Sequence, residues 1–378
     1  MIESLIKLIR GLYKDEAHIL LHRPVFAGNE REDLVDCIDS NFVSSVGAKV
    51  SEFEERVAGF SGAGFGVAVV NGTNALQVAL RLVGVERDCE VITQALTFVA
   101  TCNAIGYLGA HPVFVDVDRD TLGMSPDALL AFLEEFGERR ADGCYNRSSG
   151  RRIAACQPMH TFGHPSRIAE IAKVCADWGI PLVEDAAESL GSYYKGRHTG
   201  TFGRLGVFSF NGNKIVTTGG GGMIVTDDEE LARRAKHLTT TAKVPHPYEY
   251  VHDELGYNFR MPNLNAALGC AQMEQLPGFL DSKRTIAERY AEFFARKGIA
   301  FVQEPEHARS NYWLNAIILG DRAERDAFMK ATNDQGVMTR PIWRLMSELP
   351  MYADCQKDGL EVSRWLEERV VNLPSSVP

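Results

Sequence analysis

Between residues 60 and 240 the chain alternates short apolar runs with stretches whose apolar residues recur every three or four positions. No other feature restricts the fold as much. The apolar runs, read as strands, cover residues 66–70, 90–92, 112–115, 153–157, 181–184, 206–209 and 223–226. Helical patterns such as 75–82 and 168–178 lie between them. Strands that alternate with helices predict an α/β fold with a mostly parallel sheet covered on both faces. Ligands of such sheets bind beyond the carboxyl ends of the strands, so residues just after each strand are the functional candidates.

Ala242-Lys243-Val244-Pro245-His246-Pro247 has the prolines of a connection between domains. Helices are expected beyond it at 263–276 and 280–297, with strands near 315–318 and 336–339, as a smaller α+β domain. The expected division is an extension and arm over residues 1–30, a large domain over 31–243 and a small domain over 244–378. Residues 139–152, rich in Gly, Ser, Arg and Asn, read as an exposed loop. Ile2, Leu5, Ile6, Ile9, Leu12 and Tyr13 recur at helical spacing, but Glu3, Lys7 and Arg10 break any continuous apolar run. A secretory signal is therefore rejected, and a helix packed on its own protein or a partner subunit is expected. No stretch reaches transmembrane length. The final Asn372–Pro378 stops abruptly after a helical pattern, and a short continuation of the chain is expected.

A formal net charge of -10 argues against broad nucleic-acid binding, which needs a basic surface. The eight cysteines are scattered without a C-x-x-C pair, so neither zinc nor a disulfide framework is expected, and a reducing cytoplasm is. His160 and His164 lack the glutamate of a metalloprotease helix motif, and no metal site is expected.

Three segments carry chemistry. Asn71-Gly72-Thr73-Asn74-Ala75-Leu76 follows the first strand and opens a helix, whose free N–H groups, with Gly72, Thr73 and Asn74, can hold a phosphate. A plain strand-to-helix turn capped by Thr73 or Asn74 explains the same residues. Val183-Glu184-Asp185-Ala186-Ala187-Glu188 ends a strand with carboxylates that alternate in direction, so one of Glu184 and Asp185 faces a site. Ser209-Phe210-Asn211-Gly212-Asn213-Lys214 leads into Thr217-Thr218-Gly219-Gly220-Gly221-Gly222. A lysine between a strand and a tight glycine turn can be desolvated and act as nucleophile or base. Each segment alone also occurs by chance.

In combination they resemble the sugar aminotransferases of the DegT/DnrJ/EryC1/StrS family. The resemblance runs from about residue 20 to the C-terminus and includes Thr97-Phe98-Val99-Ala100, Val115-Asp116-Val117-Asp118, His160-Thr161-Phe162-Gly163 and Gly256-Tyr257-Asn258-Phe259-Arg260-Met261. It implies the type I fold of pyridoxal-phosphate-dependent transferases, the aspartate aminotransferase-like fold. It also implies pyridoxal 5'-phosphate as cofactor, with pyridoxamine phosphate as intermediate, and Lys214 as the Schiff-base lysine. Thr73, its neighbouring amides and Ser209 would hold the phosphate, Phe98 would stack on the ring, and Asp185 would keep the ring nitrogen protonated. Asn258 would reach the phosphate of the other subunit, which implies a homodimer with shared sites. The family usually has Pro where Gln94 stands. Glu188 is expected among the cofactor contacts, at a position where many relatives carry Gln or His near the ring hydroxyl or substrate.

The glycine run, His246-Pro247-Tyr248-Glu249-Tyr250, Ser310-Asn311-Tyr312-Trp313-Leu314-Asn315 and Arg340-Pro341-Ile342-Trp343 resemble the bacillosamine and legionaminic acid branch. That branch implies transfer of an amino group from L-glutamate to C4 of a UDP-linked 4-keto-6-deoxy-N-acetylhexosamine. A GDP-linked 4-keto sugar and a non-catalytic cofactor-binding protein are the alternatives. Ser44, Ser45, His160, Trp313 and Arg340 are the expected substrate contacts. Arg340 and the tryptophans could equally be structural, and Ser44 and Ser45 could merely make a turn. A family dehydratase would carry His in place of Lys214.

Overall fold

The computed structural model describes residues 1–14 and 17–378. Among these residues a central sheet is built from β1 (Phe65–Val69), β2 (Glu90–Gln94), β3 (His111–Val115), β4 (Arg152–Gln157), β5 (Val183–Asp185), β6 (Leu205–Ser209) and β7 (Gly222–Thr226). The spatial order is β1-β7-β6-β5-β4-β2-β3, with β4 and β5 joined by the bridges Cys156–Leu182 and Met159–Asp185. Every neighbour pair is parallel except those of β7, which runs against β1 and β6. The mostly parallel α/β sheet expected from the alternating pattern is present. β5 starts two residues later than expected because Pro181 has no N–H to give; its carbonyl instead accepts the Cys156 N–H at 2.9 Å.

Both faces of the sheet are apolar, which explains continuous rather than alternating hydrophobic runs. Val67, Val69 and Ile224 point to one face, where they pack with Ala75, Val78 and Ala79 of the Gly72–Leu82 helix. Ala68, Met223 and Val225 point to the other, against Val50, Phe53 and Val57 of the Ala48–Ser61 helix. Each fully buried side chain of this kind stabilises the fold by about 1.5–3 kcal/mol.

Residues 139–152 are largely exposed, as expected, but they are not all loop. They form a hairpin, Gly137–Arg140 with Gly143–Asn146, that adds antiparallel to β4. Cys144 and Asn146 are buried there, the Asn146 amide held by Glu90 and Gln356 at 2.7 Å each. The two helices expected at 263–276 and 280–297 are one, Asn263–Ala295, which runs through Pro277. Buried Leu276 and Phe279 on either side of the proline hold the helix together across it. Its first half packs on the Glu30–Asp39 and Ala48–Ser61 helices, and Ile286, Tyr290 and Phe294 of its second half pack on the small domain. The helix thus packs on elements from both sides of the expected 243/244 division.

The small sheet is antiparallel, in the order Ala300–Phe301, Asn315–Ile318, Val370–Leu373, Arg340–Pro341. The strand expected at 336–339 lies slightly later, while Val337 bridges Ile19 of the arm. The segment after the Glu361–Glu367 helix is itself a strand of this sheet, followed by the buried Ser375 and Ser376. The N-terminal helix Ile2–Leu12 buries Leu5, Ile6 and Ile9 against Ile286, Tyr290, Phe294, Ile317 and Phe328 of its own chain. Among the described residues no helix is long and apolar enough to cross a membrane.

Candidate active site

The strands of a parallel sheet end on one side, and here their ends surround a cavity of about 310 Å³. Asn71, Gly72 and Thr73 follow β1, Phe98 and Thr101 follow β2, Met159 follows β4, and Asp185 to Glu188 leave β5. Ser209, Asn211, Asn213 and Lys214 follow β6, and the small domain adds Trp313 and Trp343.

The turn after β1 is capped by Asn71, not by Thr73 or Asn74. Asn71 is extended, and its side chain accepts the Asn74 N–H at 2.8 Å. That bond uses the Asn74 amide, and Asn74 does not line the cavity. The first-turn positions Gly72 and Thr73 remain, where a helix start attracts an anion. A Cβ on Gly72 would lie 2.9 Å from Ser209 Cβ, and one on Gly222 would lie 2.5 Å from the Asn71 carbonyl oxygen. Close approach of β1, β6 and β7 therefore requires glycine at both positions and brings Ser209 beside the helix start.

Asp185 faces the cavity, and Glu184 faces away from it. Asp185 Oδ2 accepts the Thr101 hydroxyl at 2.8 Å, and Oδ1 accepts the Ala187 N–H at 3.2 Å. Burial raises its pKa above the usual carboxylate value, while those two bonds and the charge of Lys214 act in the opposite direction. Glu184 accepts the Gly200 and Gly203 N–H groups at 2.7 Å each and lies 3.1 Å from His160 Nε2. His160 Nδ1 accepts the Ser166 N–H at 3.2 Å. With both ring nitrogens engaged in this fully buried network, His160 shapes the loop after β4 and does not line the cavity; the expected substrate contact is corrected accordingly.

Lys214 Nζ donates to Glu188 Oε1 at 3.2 Å and lies 4.0 Å from the centroid of the Trp313 ring. Trp313 is itself fixed. Its indole N–H donates to the Asn213 carbonyl at 2.7 Å, and its backbone N–H donates to Asn311 Oδ1 at 2.8 Å. Trp313, an expected substrate contact, lines the cavity and forms the floor beneath Lys214. Glu188 Oε2 accepts the Phe162 N–H at 2.9 Å. Phe162 adopts φ +57°, a left-handed conformation that costs roughly 1–2 kcal/mol for such a residue, and it aims that N–H at the carboxylate. Burial pushes the Glu188 carboxyl up to about 7, against the lowering charge of Lys214.

Phe98 is 48% exposed despite being a large aromatic, and its ring lies 6.3 Å from that of Trp343 across the cavity. Arg340 borders a second cavity of about 240 Å³ with His22, Leu314 and Met338, and Asn213 lines both cavities. Among the described residues Arg340 forms no ion pair and bonds only Asn333 Oδ1 and the Thr339 carbonyl. Ser44 and Ser45 lie in the turn before the Ala48–Ser61 helix, where the Ser44 carbonyl accepts the Asn263 N–H, and they do not line the cavity. Asn258 bridges Thr240 and is also absent from its own chain's cavity.

Thr101 lines the cavity and Asn311 and Gln94 support it from behind; of the three, only Gln94 is read from the sequence, as a change of loop geometry. Thr101 sits one helical turn beyond Phe98, the only signal that pointed to it. Gln94 is buried and makes all four bonds an amide can make. It donates to the Leu96 carbonyl at 2.9 Å and Thr161 Oγ1 at 3.2 Å, and accepts the Met124 and Met159 N–H groups at 3.0 Å each. The residue that stands in place of the usual proline thus ties the loops after β2 and β4 together.

A helix-start cradle, a buried aspartate, an exposed aromatic face and a half-enclosed lysine in one cavity define a cofactor-dependent group-transfer site. The family model for the DegT/DnrJ/EryC1/StrS aminotransferase family matches residues 25–378, and the chain belongs to that family. It is 36% identical over 94% of its length to EpsN of Bacillus subtilis (strain 168), described as a pyridoxal phosphate-dependent aminotransferase, covering 90% of that protein. It is 34% identical over 95% of its length to the GDP-perosamine synthase of Escherichia coli O157:H7, covering 93% of it. A solved structure of DesI in the presence of its TDP-sugar product superposes with a TM-score of 0.83 at 30% identity, over 95% of this chain and 88% of that one.

The family cofactor is pyridoxal phosphate, and the donors present fit it. An anionic cradle lies at Gly72, Thr73 and Ser209, a buried carboxylate at Asp185, an aromatic face at Phe98 and an amine at Lys214.

Proposed function

We propose that the chain moves an amino group from L-glutamate to C4 of a nucleotide-linked 4-keto-6-deoxyhexose, with Lys214 holding pyridoxal phosphate covalently. The observation that carries this reading is the placement of Lys214 Nζ on the cavity floor, between Glu188 and the Trp313 ring, with Asp185 buried in the same cavity. When bound, the cofactor supplies an electron sink and a carrier for the amino group. Gly72, Thr73 and Ser209 would take its phosphate, Phe98 its ring face and Asp185 its ring nitrogen. An ionised carboxylate there would favour a proton on that nitrogen. Lys214 would move the proton between carbon and solvent-shielded nitrogen in both half-reactions, as nucleophile and as base. Trp313, beneath the lysine, and Trp343 give the cavity apolar walls that exclude water.

Arg340, beside the second cavity that shares Asn213, is offered as the diphosphate contact. Two nucleotide readings stand. Motif resemblance to the bacillosamine and legionaminic acid branch favours a UDP-linked N-acetyl sugar, with the 4-amino product in the gluco configuration. Similarity to the GDP-perosamine synthases favours a GDP-linked sugar. The chain is proposed to work as a homodimer, with Asn258 entering the partner's cavity. The exposed Tyr248, Tyr250 and Leu255 near it, and Phe42 and Val46 elsewhere, supply apolar surface for a second copy. An assay offering UDP- and GDP-linked 4-keto sugars with glutamate, read by product mass and NMR, tests the function. Amination of one of them is expected. Failure of both with the cofactor loaded would refute the substrate class.

A further inference from the structure

Glu188 has a chemistry that cofactor binding alone does not explain. Its side chain is 2% exposed, and the cation it meets is Lys214, itself 12% exposed. The Phe162 N–H holds one carboxylate oxygen, and the other faces Nζ at 3.2 Å. We propose that Glu188 is the internal base of Lys214: it takes a proton from the ammonium and returns it, so that the neutral amine forms without a proton leaving the cavity. The inference rests on the reading of Lys214 as the cofactor lysine.

The step balances. One Nζ–H bond of Lys214 breaks and an Oε1–H bond of Glu188 forms. The electron pair stays on Nζ, and nothing is oxidised or reduced. An ion pair withdrawn from water loses hydration of both charges, which brings the neutral acid–amine pair within reach of it. Burial pushes the Glu188 carboxyl up toward neutrality, in the same sense.

The other charged groups nearby are committed elsewhere. Both Asp185 oxygens accept bonds, from Thr101 and Ala187. Behind Trp313, Lys283 Nζ meets three acceptors, His22 Nε2 at 2.8 Å, the Trp313 carbonyl at 3.1 Å and the Ser375 carbonyl at 2.6 Å. Burial and the charges of Lys283 and Lys214 lower the pKa of His22 well below its ordinary value, so it stays neutral. Glu188 Oε1 is the acceptor in hydrogen-bond reach of Nζ.

The test is the rate at which the full-length protein, freed of cofactor, captures added pyridoxal phosphate covalently, followed by absorbance from about pH 8 to about pH 9.5, where the Glu188 carboxyl is ionised throughout. Wild-type rates should change less than about threefold across that range, because the proton passes to Glu188. In Glu188→Gln the amine must lose its proton to solvent, and the rate should fall about tenfold per pH unit toward acid. Glu188→His, which can accept a proton, should keep the wild-type profile. The proposal is overturned if Glu188→Gln follows the wild-type profile, or if the His and Gln variants steepen alike while both melt as folded proteins. Lys214→Ala separates the two layers: covalent capture at the wild-type rate in that variant would refute the lysine assignment itself, whatever Glu188 does.

Discussion

Asp185 and Glu188 are two buried carboxylates three residues apart, yet their surroundings give them different work. Burial raises the Asp185 pKa, while the Thr101 hydroxyl and the Ala187 amide act toward the ionised form that a ring nitrogen needs. Asp185→Asn should therefore lower turnover by at least about a hundredfold while cofactor still binds, measured by steady-state kinetics beside an absorbance titration. Near-normal turnover would refute its role. Glu188 makes a prediction about stability. Its folded pKa of about 7 stands above the ordinary 4.5, so the folded state binds more protons than the unfolded one between those values. The stability it contributes is present below pH 4.5 and lost as pH rises through 7. The cofactor-free protein should lose about 3 kcal/mol from this residue across that window, and Glu188→Gln should remove most of that loss in urea melts at either end. A pH dependence identical in both proteins would contradict the assignment. At this scale the sequence made the gathering of Thr73, Asp185, Ser209 and Lys214 legible, since each follows a strand of a parallel sheet. It did not reveal Thr101, the Phe162 N–H or the Asn71 cap, because hydrogen-bond partners are set by approach through space. His160 misled for the same reason: it too follows a strand, but its ring turns toward Glu184.

Among elements, the loops beyond the strands decide the site's shape. Gln94 joins them with four bonds inside the protein. Gln94→Ala would leave the Met124 and Met159 N–H groups buried without partners, at a cost of about 2–4 kcal/mol read by denaturant unfolding. A loss under about 0.5 kcal/mol would show that the loops hold themselves. The strands were legible to within a few residues, because a buried strand must be apolar on both faces. The hairpin at 137–146 was not, since its polar residues mimic a loop while Cys144 and Asn146 turn inward. Pro277 suggested a break that helix packing on both sides overrides.

For the whole molecule, the proposed shared site makes a prediction that one chain alone cannot satisfy. Lys214→Ala and Asn258→Ala chains, each impaired, should regain activity when mixed under conditions that exchange subunits. In the mixed dimer one cavity then holds both Lys214 and the partner-supplied Asn258. No recovery, with mixed dimers shown by native mass spectrometry, would place Asn258 outside the partner's site. The small domain, the arm and the end of the chain meet around Lys283, directly behind the tryptophan beneath Lys214. Packing of the small domain thus reaches the lysine on which the account depends. The most direct test is to load the protein with pyridoxal phosphate, reduce it with borohydride and map the modified peptide by mass spectrometry. The reduced pyridoxyl group is expected on Lys214; its attachment to any other lysine, or to none, would contradict the assignment of Lys214 as the cofactor lysine.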